Sequence, residues 1–93
     1  EALELTDKNG VKSTLAADGA FVAIGQVPSN KPFADLVELD EAGYVVAGED
    51  CKTSCEGVFA AGDGRTKTLR QLSTAAADGA VAAVNACDYL LSK

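Results

Sequence analysis

Histidine, methionine and tryptophan are absent from this 93-residue sequence, and basic residues are scarce. Without histidine, the Ser-His-Asp and Cys-His catalytic pairs are excluded, together with most zinc sites. Eight Lys and Arg against fourteen Asp and Glu give a net charge of −6, which argues against nucleic acid and anionic membranes as partners. Because the sequence opens on Glu1 and contains no Met, we expect that it was processed or cut from a longer protein.

The sequence also lacks a long uninterrupted apolar run and a disulfide framework. Charged and amide side chains interrupt its most apolar stretch, residues 69–91, which excludes a membrane span. The charged N-terminus has no signal-peptide core. Three cysteines are an odd number for a small disulfide-stabilised secreted domain. These features predict one small domain at most, with reduced thiols and a cytoplasmic location.

The first half of the sequence is typical of short strands joined by turns. Alternating leucines precede the turn pair Asn9-Gly10, so residues 1–15 are predicted to form a hairpin. The apolar run at residues 20–24 predicts a strand buried on both faces. Residues 37–46 predict a second small hairpin or meander.

A strand that ends in Gly62-Asp63 is the most informative segment. The preceding residues 58–61 are all apolar, so Asp63 places a carboxylate just beyond the carboxyl end of a buried strand. Open α/β sheets bind ligands at that edge. Gly62 would let a ligand approach the backbone closely, because it has no Cβ. The alternative is that Asp63 only caps a turn.

A long helix is predicted over residues 69–91. Thr68 and Gln71 fit a capping box, and fifteen of these 23 residues are apolar, which predicts burial nearly all round. Gly79 lowers helix propensity, which predicts that something packs against its backbone. Cys87 is expected to be a small buried apolar residue on this helix.

The start of this helix is a candidate ligand site. Helix starts present free N–H groups and positive potential, which favour nearby negative charge. Asp63 and the turn formed by Arg70, Gln71 and Leu72 are therefore predicted to be two halves of one polar site. For Gln71, the alternative is a role in the helix cap alone.

Several ordered blocks, which together cover essentially the whole chain, point to a family. They are DGAFVAIGQVP at 18–28, GVFAAGDGR at 57–65, Arg70-Gln71, and AAADGAVAA at 75–83. In these blocks the sequence resembles the C-terminal end of low-molecular-weight bacterial thioredoxin reductases. The alkyl hydroperoxide reductase flavoprotein and ferredoxin–NADP reductases of the same type share parts of the pattern and are the alternatives among relatives.

The resemblance implies an α/β fold. The chain would be the C-terminal part of a three-layer FAD/NAD(P)-binding domain, with short strands and one long C-terminal helix. Residues 1–27 would be terminal strands of the NADPH-binding domain, and residues 28–93 the C-terminal section of the FAD-binding domain. The resemblance also implies FAD and NADPH as cofactors of the parent enzyme, thioredoxin as its protein substrate, and a homodimer.

The resemblance further implies roles for five residues in binding FAD. Asp63 would accept a hydrogen bond from a ribityl hydroxyl, with Gly62 allowing the close approach. Arg70, Gln71 and the amide of Leu72 would face the pyrimidine end of the flavin. Reduced flavin carries negative charge there, which donors and a helix start would stabilise.

No catalytic residue is predicted in this chain. It contains neither a glycine-rich dinucleotide loop nor a Cys-x-x-Cys redox pair, so the isolated chain is expected to be inactive. Cys51 and Cys55 are separated by three residues, which suits a loop better than a redox disulfide. Two other classes are weighed: a non-catalytic interaction module of the same shape, and a metal site built on these cysteines. The metal site would need two further ligands, which is unfavourable without histidine.

Overall fold

The computed structural model describes residues 1–93 and contains one hairpin, two short turns of 3-10 helix and one long helix. The strands are β1 (Ala2–Thr6) and β2 (Lys12–Ala16), and the helix is α1 (Leu72–Leu91). The 3-10 turns cover Lys31–Phe33 and Gly62–Gly64. None of the helices combines the length and the apolar character that crossing a membrane requires. The mixed α/β class with one long C-terminal helix is confirmed.

The predicted N-terminal hairpin is confirmed. β1 and β2 pair antiparallel, with Leu3 opposite Leu15. The turn is held by the carboxylate of Asp7, which accepts hydrogen bonds from the amides of Asn9 (2.8 Å) and Val11 (2.9 Å). Of the pair Asn9-Gly10, only Gly10 has a positive φ, at 80°. No other helix or strand packs against this hairpin, so the molecule is elongated, with extents of 62 × 27 × 20 Å.

The buried strand predicted at residues 20–24 does not form. These residues have no regular structure and make no backbone hydrogen bonds. Residues Phe21, Val22 and Ile24 are 102%, 82% and 91% exposed. A strand that is apolar on both faces needs paired neighbours and covering layers, and this chain supplies neither there.

The central part of the chain is held by single β-bridges rather than by a sheet. Leu39 bridges Val45, Val45 also bridges Arg65, and Lys52 bridges Phe59. The predicted second hairpin is thus reduced to one bridge, and the predicted strand before Gly62 to another. The small core lies here, and its apolar members are Val37, Val45, Ala47 and Cys51.

Helix α1 begins three residues later than predicted. Gln71, in extended conformation, is its N-cap, and the amide of Gln71 donates to Thr74 Oγ1 at 3.1 Å, so the predicted cap at Thr68 is wrong. The segment before Gln71 is not helical, and Arg70 there reaches back to backbone carbonyls at residues 63 and 65.

The predicted burial of α1 on nearly all sides is also wrong. Asp78 is its only buried residue, and Cys87, predicted to be buried, is exposed. A Cβ added at Gly79 would meet no atom within 4 Å, so nothing packs against that glycine. No second layer of this chain covers the outer faces of the helix, and its apolar side chains therefore meet solvent.

Candidate functional site

The turn that presents Asp63 is built on a glycine in the left-handed region. Gly62 is buried with φ +83°, a conformation that L residues with a side chain rarely adopt. A Cβ there would meet Ala75 of α1 at 3.6 Å, so Gly62 faces the helix rather than an open approach. Asp63 is exposed, and its carboxylate makes no hydrogen bond within the chain. The turn therefore leaves an acceptor group pointing to solvent.

Arg70 lies directly against this turn. Its Nε donates to the carbonyl of Asp63 and its Nη2 to the carbonyl of Arg65, both at 3.2 Å. Its guanidinium carbon lies 3.7 Å from the centre of the Tyr44 ring, a stacked cation–π contact. These three contacts fix the guanidinium and join the 3-10 turn to the start of α1.

The start of α1 provides further donors beside Arg70. Leu72 is the first helical residue and is 90% exposed. The amides of Leu72 and Ser73 have no acceptor in the chain. Unpaired amides at a helix start have a positive potential. Gln71 is exposed at the N-cap. The structure thus brings Asp63, Arg70, Gln71 and Leu72 to one end of the helix.

A cleft of about 190 Å³ lies beside this group. Asp63, Gly64, Arg70 and Tyr44 form one side, and residues 26–30 form the other. The side-chain amide of Asn30 donates to the carbonyls of Gly43 and Gly64, at 3.0 and 2.9 Å, and so ties the two sides together. The cleft therefore combines a free carboxylate, a fixed guanidinium and an aromatic face.

A buried ion cluster behind the turn was not found by the sequence analysis. Asp78 of α1 accepts hydrogen bonds from the amide of Gly62 (2.9 Å), from Arg65 Nε and Nη2 (2.8 and 2.9 Å), and from Lys67 Nζ (2.9 Å). The side chains of Arg65, Lys67 and Asp78 are 2%, 5% and 8% exposed. Arg65 also contacts the exposed Glu49 at 3.2 Å. The signal available in the sequence was the carboxylate of Asp78 within the alanine-rich part of this helix.

The cluster shifts the titration of its members. The hydrogen bonds from Arg65 and Lys67 hold the pKa of the Asp78 carboxyl well below its usual range. The same hydrogen bond to Asp78 raises the pKa of Arg65 above its ordinary value. No buried side-chain polar atom in the structure lacks a hydrogen-bond partner. The cluster is therefore a charged and fully satisfied network at neutral pH.

The three cysteines are free thiols in different environments. Cys51 is fully buried with φ +61°, and its thiol donates to the Asp78 carbonyl at 3.5 Å. Burial raises the pKa of the Cys51 thiol, and the charge of Asp78 adds to the effect. Cys55 is half-buried and Cys87 exposed. No group of three or more Cys, Asp or Glu side chains is arranged to hold a metal ion.

Comparison with known proteins gives consistent matches along the chain. The family model described as pyridine nucleotide-disulphide oxidoreductase matches residues 1–79. A thioredoxin reductase from Peptoclostridium acidaminophilum is 51% identical over 72 residues, which are 77% of this chain and 23% of that protein. A thioredoxin reductase from Listeria innocua is 45% identical over 82 residues, which are 88% of this chain and 26% of that protein.

A solved structure agrees with these sequence matches. The crystal structure of Lactococcus lactis thioredoxin reductase superimposes with a TM-score of 0.78 at 36% identity, covering 92% of this chain and 28% of that one. The chain therefore spans about a quarter of the length of these relatives.

Proposed function

The chain belongs to the pyridine nucleotide-disulphide oxidoreductase family, and we propose that it is the flavin-contacting C-terminal segment of an NADPH-dependent thioredoxin-disulfide reductase. The observation that supports this most directly is the pairing of Asp63, whose carboxylate is free, with Arg70, which is fixed against the same turn. The relatives and the solved structure bear the name thioredoxin reductase, which favours this function over related flavoproteins and over a non-catalytic interaction module.

The residues at the helix start fit a flavin by their chemistry. The Asp63 carboxylate has no partner in the chain and could accept a hydrogen bond from a ribityl hydroxyl. Arg70 and the amide of Leu72 are donors suited to the oxygen and nitrogen atoms at the pyrimidine end, and Gln71 lies between them. Gly62 supports the site by allowing the positive φ of the turn. When bound, FAD supplies the chemistry of accepting and passing on two electrons.

In this proposal the chain's own residues bind and orient the cofactor and perform no covalent step. Asp63 fixes the ribityl chain, and Arg70 keeps its orientation through the carbonyls of residues 63 and 65 and the Tyr44 ring. The positive potential of the helix start and of Arg70 stabilises the negative charge that a flavin gains on reduction. A catalytic disulfide is not assigned to Cys51, Cys55 or Cys87.

The proposed domain division follows the same assignment. Residues 1–27 would belong to the NADPH-binding domain and residues 28–93 to the FAD-binding domain. The isolated position of the hairpin, which packs against no other helix or strand, supports a boundary after it. The whole enzyme would act in the cytoplasm as a homodimer, with thioredoxin as its protein substrate and FAD and NADPH as cofactors.

Replacement of the free carboxylate tests this function. In the full-length enzyme, Asp63→Ala should weaken FAD binding by about 1.5–3 kcal/mol, because a hydrogen bond to a charged acceptor is lost. Asp35→Ala is the matched control, since Asp35 is another exposed aspartate. The measurement is the flavin content after extensive dialysis. Equal retention of FAD by the two variants would contradict the assignment.

A further inference from the structure

Asp78 holds both ends of the turn that presents Asp63. One carboxylate oxygen accepts from the amide of Gly62, which precedes Asp63, and from the side chain of Arg65, which follows it. The other oxygen accepts from Nη2 of the same guanidinium, so the Asp78–Arg65 pair is bidentate, with two parallel hydrogen bonds. Lys67 adds a third cationic contact. The position of the turn relative to α1 therefore depends on this one side chain.

The same cluster also supports Arg70. The carbonyl of Arg65, whose side chain is fixed by Asp78, accepts the hydrogen bond from Arg70 Nη2. The carbonyl of Asp63 accepts from Arg70 Nε. A change at Asp78 would thus be transmitted to both residues at the cleft through two short hydrogen-bonded steps.

We propose that Asp78 is a positioning residue of the cofactor site, which sets the orientation of Asp63 and Arg70 toward the flavin without touching it. This inference rests on the proposed flavin-binding function. It adds a residue that lies behind the turn, on the buried face of α1, and assigns a role to the charge of that residue.

The charge of Asp78, rather than its shape, is what the surrounding donors require. Asn would keep the size and could still accept from the Gly62 amide through its one oxygen. Its NH2 group would then replace the oxygen that accepts from Arg65 Nη2, so two donors face each other there and the buried cations Arg65 and Lys67 lose the negative charge that balances them. Asp78→Asn is therefore expected to loosen the turn while leaving the volume unchanged.

A double-mutant cycle in the full-length flavoprotein tests this role. The dissociation constant of FAD is measured by flavin fluorescence for the wild type, Asp78→Asn, Asp63→Ala and the double variant, well below the unfolding temperature of each. We expect Asp78→Asn to raise the dissociation constant about tenfold. In the Asp63→Ala background the effect of Asp78→Asn should be clearly smaller, because the part that acts through the Asp63 carboxylate is already lost and only the part that acts through Arg70 remains. Asp88→Asn, an exposed carboxylate on the same helix, is the matched control and should change nothing.

The outcomes separate this inference from the function on which it rests. An equal effect of Asp78→Asn in both backgrounds would show a general structural role and overturn the proposal. If Asp78→Asn leaves the dissociation constant of FAD unchanged while Asp63→Ala raises it, the proposal is overturned and the flavin assignment stays intact. No effect of Asp63→Ala would overturn the flavin assignment itself. If Asp78→Asn does not fold, Arg65→Lys replaces it in the cycle with the same criteria, since it keeps the charge but loses the bidentate contact.

Discussion

Two glycines of this chain should respond in opposite directions to the same substitution. Gly79 lies inside α1, and a Cβ added there would meet no atom within 4 Å. Since Ala is about 1 kcal/mol more favourable than Gly in a helix interior, Gly79→Ala should raise the free energy of unfolding by about that amount. Gly62 has φ +83°, and its added Cβ would make only an ordinary contact with Ala75. Gly62→Ala should therefore lower the free energy of unfolding by about 1–2 kcal/mol through backbone strain alone.

Urea unfolding followed by circular dichroism, at one fixed protein concentration, measures both changes. Gly19→Ala is the control, because Gly19 has no positive φ and open space around it, and it should stay within about 0.5 kcal/mol of the wild type. In thermal unfolding, 1 kcal/mol corresponds to about 4–8 °C for a chain of this size. A Gly79→Ala variant less stable than the wild type would refute the reasoning, since it would mean that a neighbour packs against the helix at that point.

Three further properties follow from the same structure. Thiol labelling followed by mass spectrometry should modify Cys87 first and Cys51 only on unfolding. The reason is that Cys87 is exposed, whereas Cys51 is buried and burial raises its pKa. Equal labelling rates for the two thiols in the folded protein would contradict this. The pKa of Asp78 is lowered, so its contribution to stability is complete above about pH 4 and is lost as the pH falls through its folded-state pKa. The Tm should therefore fall more steeply on acidification in the wild type than in Asp78→Asn. An equal dependence of Tm on pH in the two proteins would contradict a stabilising role for the Asp78 charge. Sedimentation at micromolar concentration should show self-association, because apolar side chains at residues 21–27 and on α1 are uncovered; a compact monomer would contradict this.

The elements that could be predicted from the sequence are those stabilised by contacts between residues close together in the chain. The hairpin follows from alternating residues around a turn in which Asp7 and Gly10 satisfy the backbone locally. Helix α1 follows from a long run of good helix formers. It begins three residues later than predicted, because Arg70 bonds back to the preceding turn. The ordered blocks at residues 18–28, 57–65, 70–71 and 75–83 indicated the family, which the comparisons confirm. The contacts that decide the hairpin and the helix join residues only a few positions apart in the sequence.

The candidate site was predicted in part. The sequence indicated that Asp63 and the start of α1 would meet, and the structure places Arg70 against the carbonyl of Asp63. The stacking of Arg70 on Tyr44 could not be predicted, because those residues are 26 positions apart and no periodic pattern relates them. The flavin contacts of the five predicted residues stay a prediction.

The sequence by itself determined the hairpin, the helix, the acidic character and the family of this chain. Only the tertiary structure decided which apolar segments are covered and which polar groups are buried. The run at residues 20–24 has the composition of a buried strand but lies exposed, because burial depends on neighbouring strands and layers and not on composition. Asp78 lies in an apolar helix but is the centre of a buried ion cluster, because its partners at residues 62, 65 and 67 return to it across 11 to 16 positions of the chain. Contacts of that range are set by how the chain packs, which local sequence patterns do not encode.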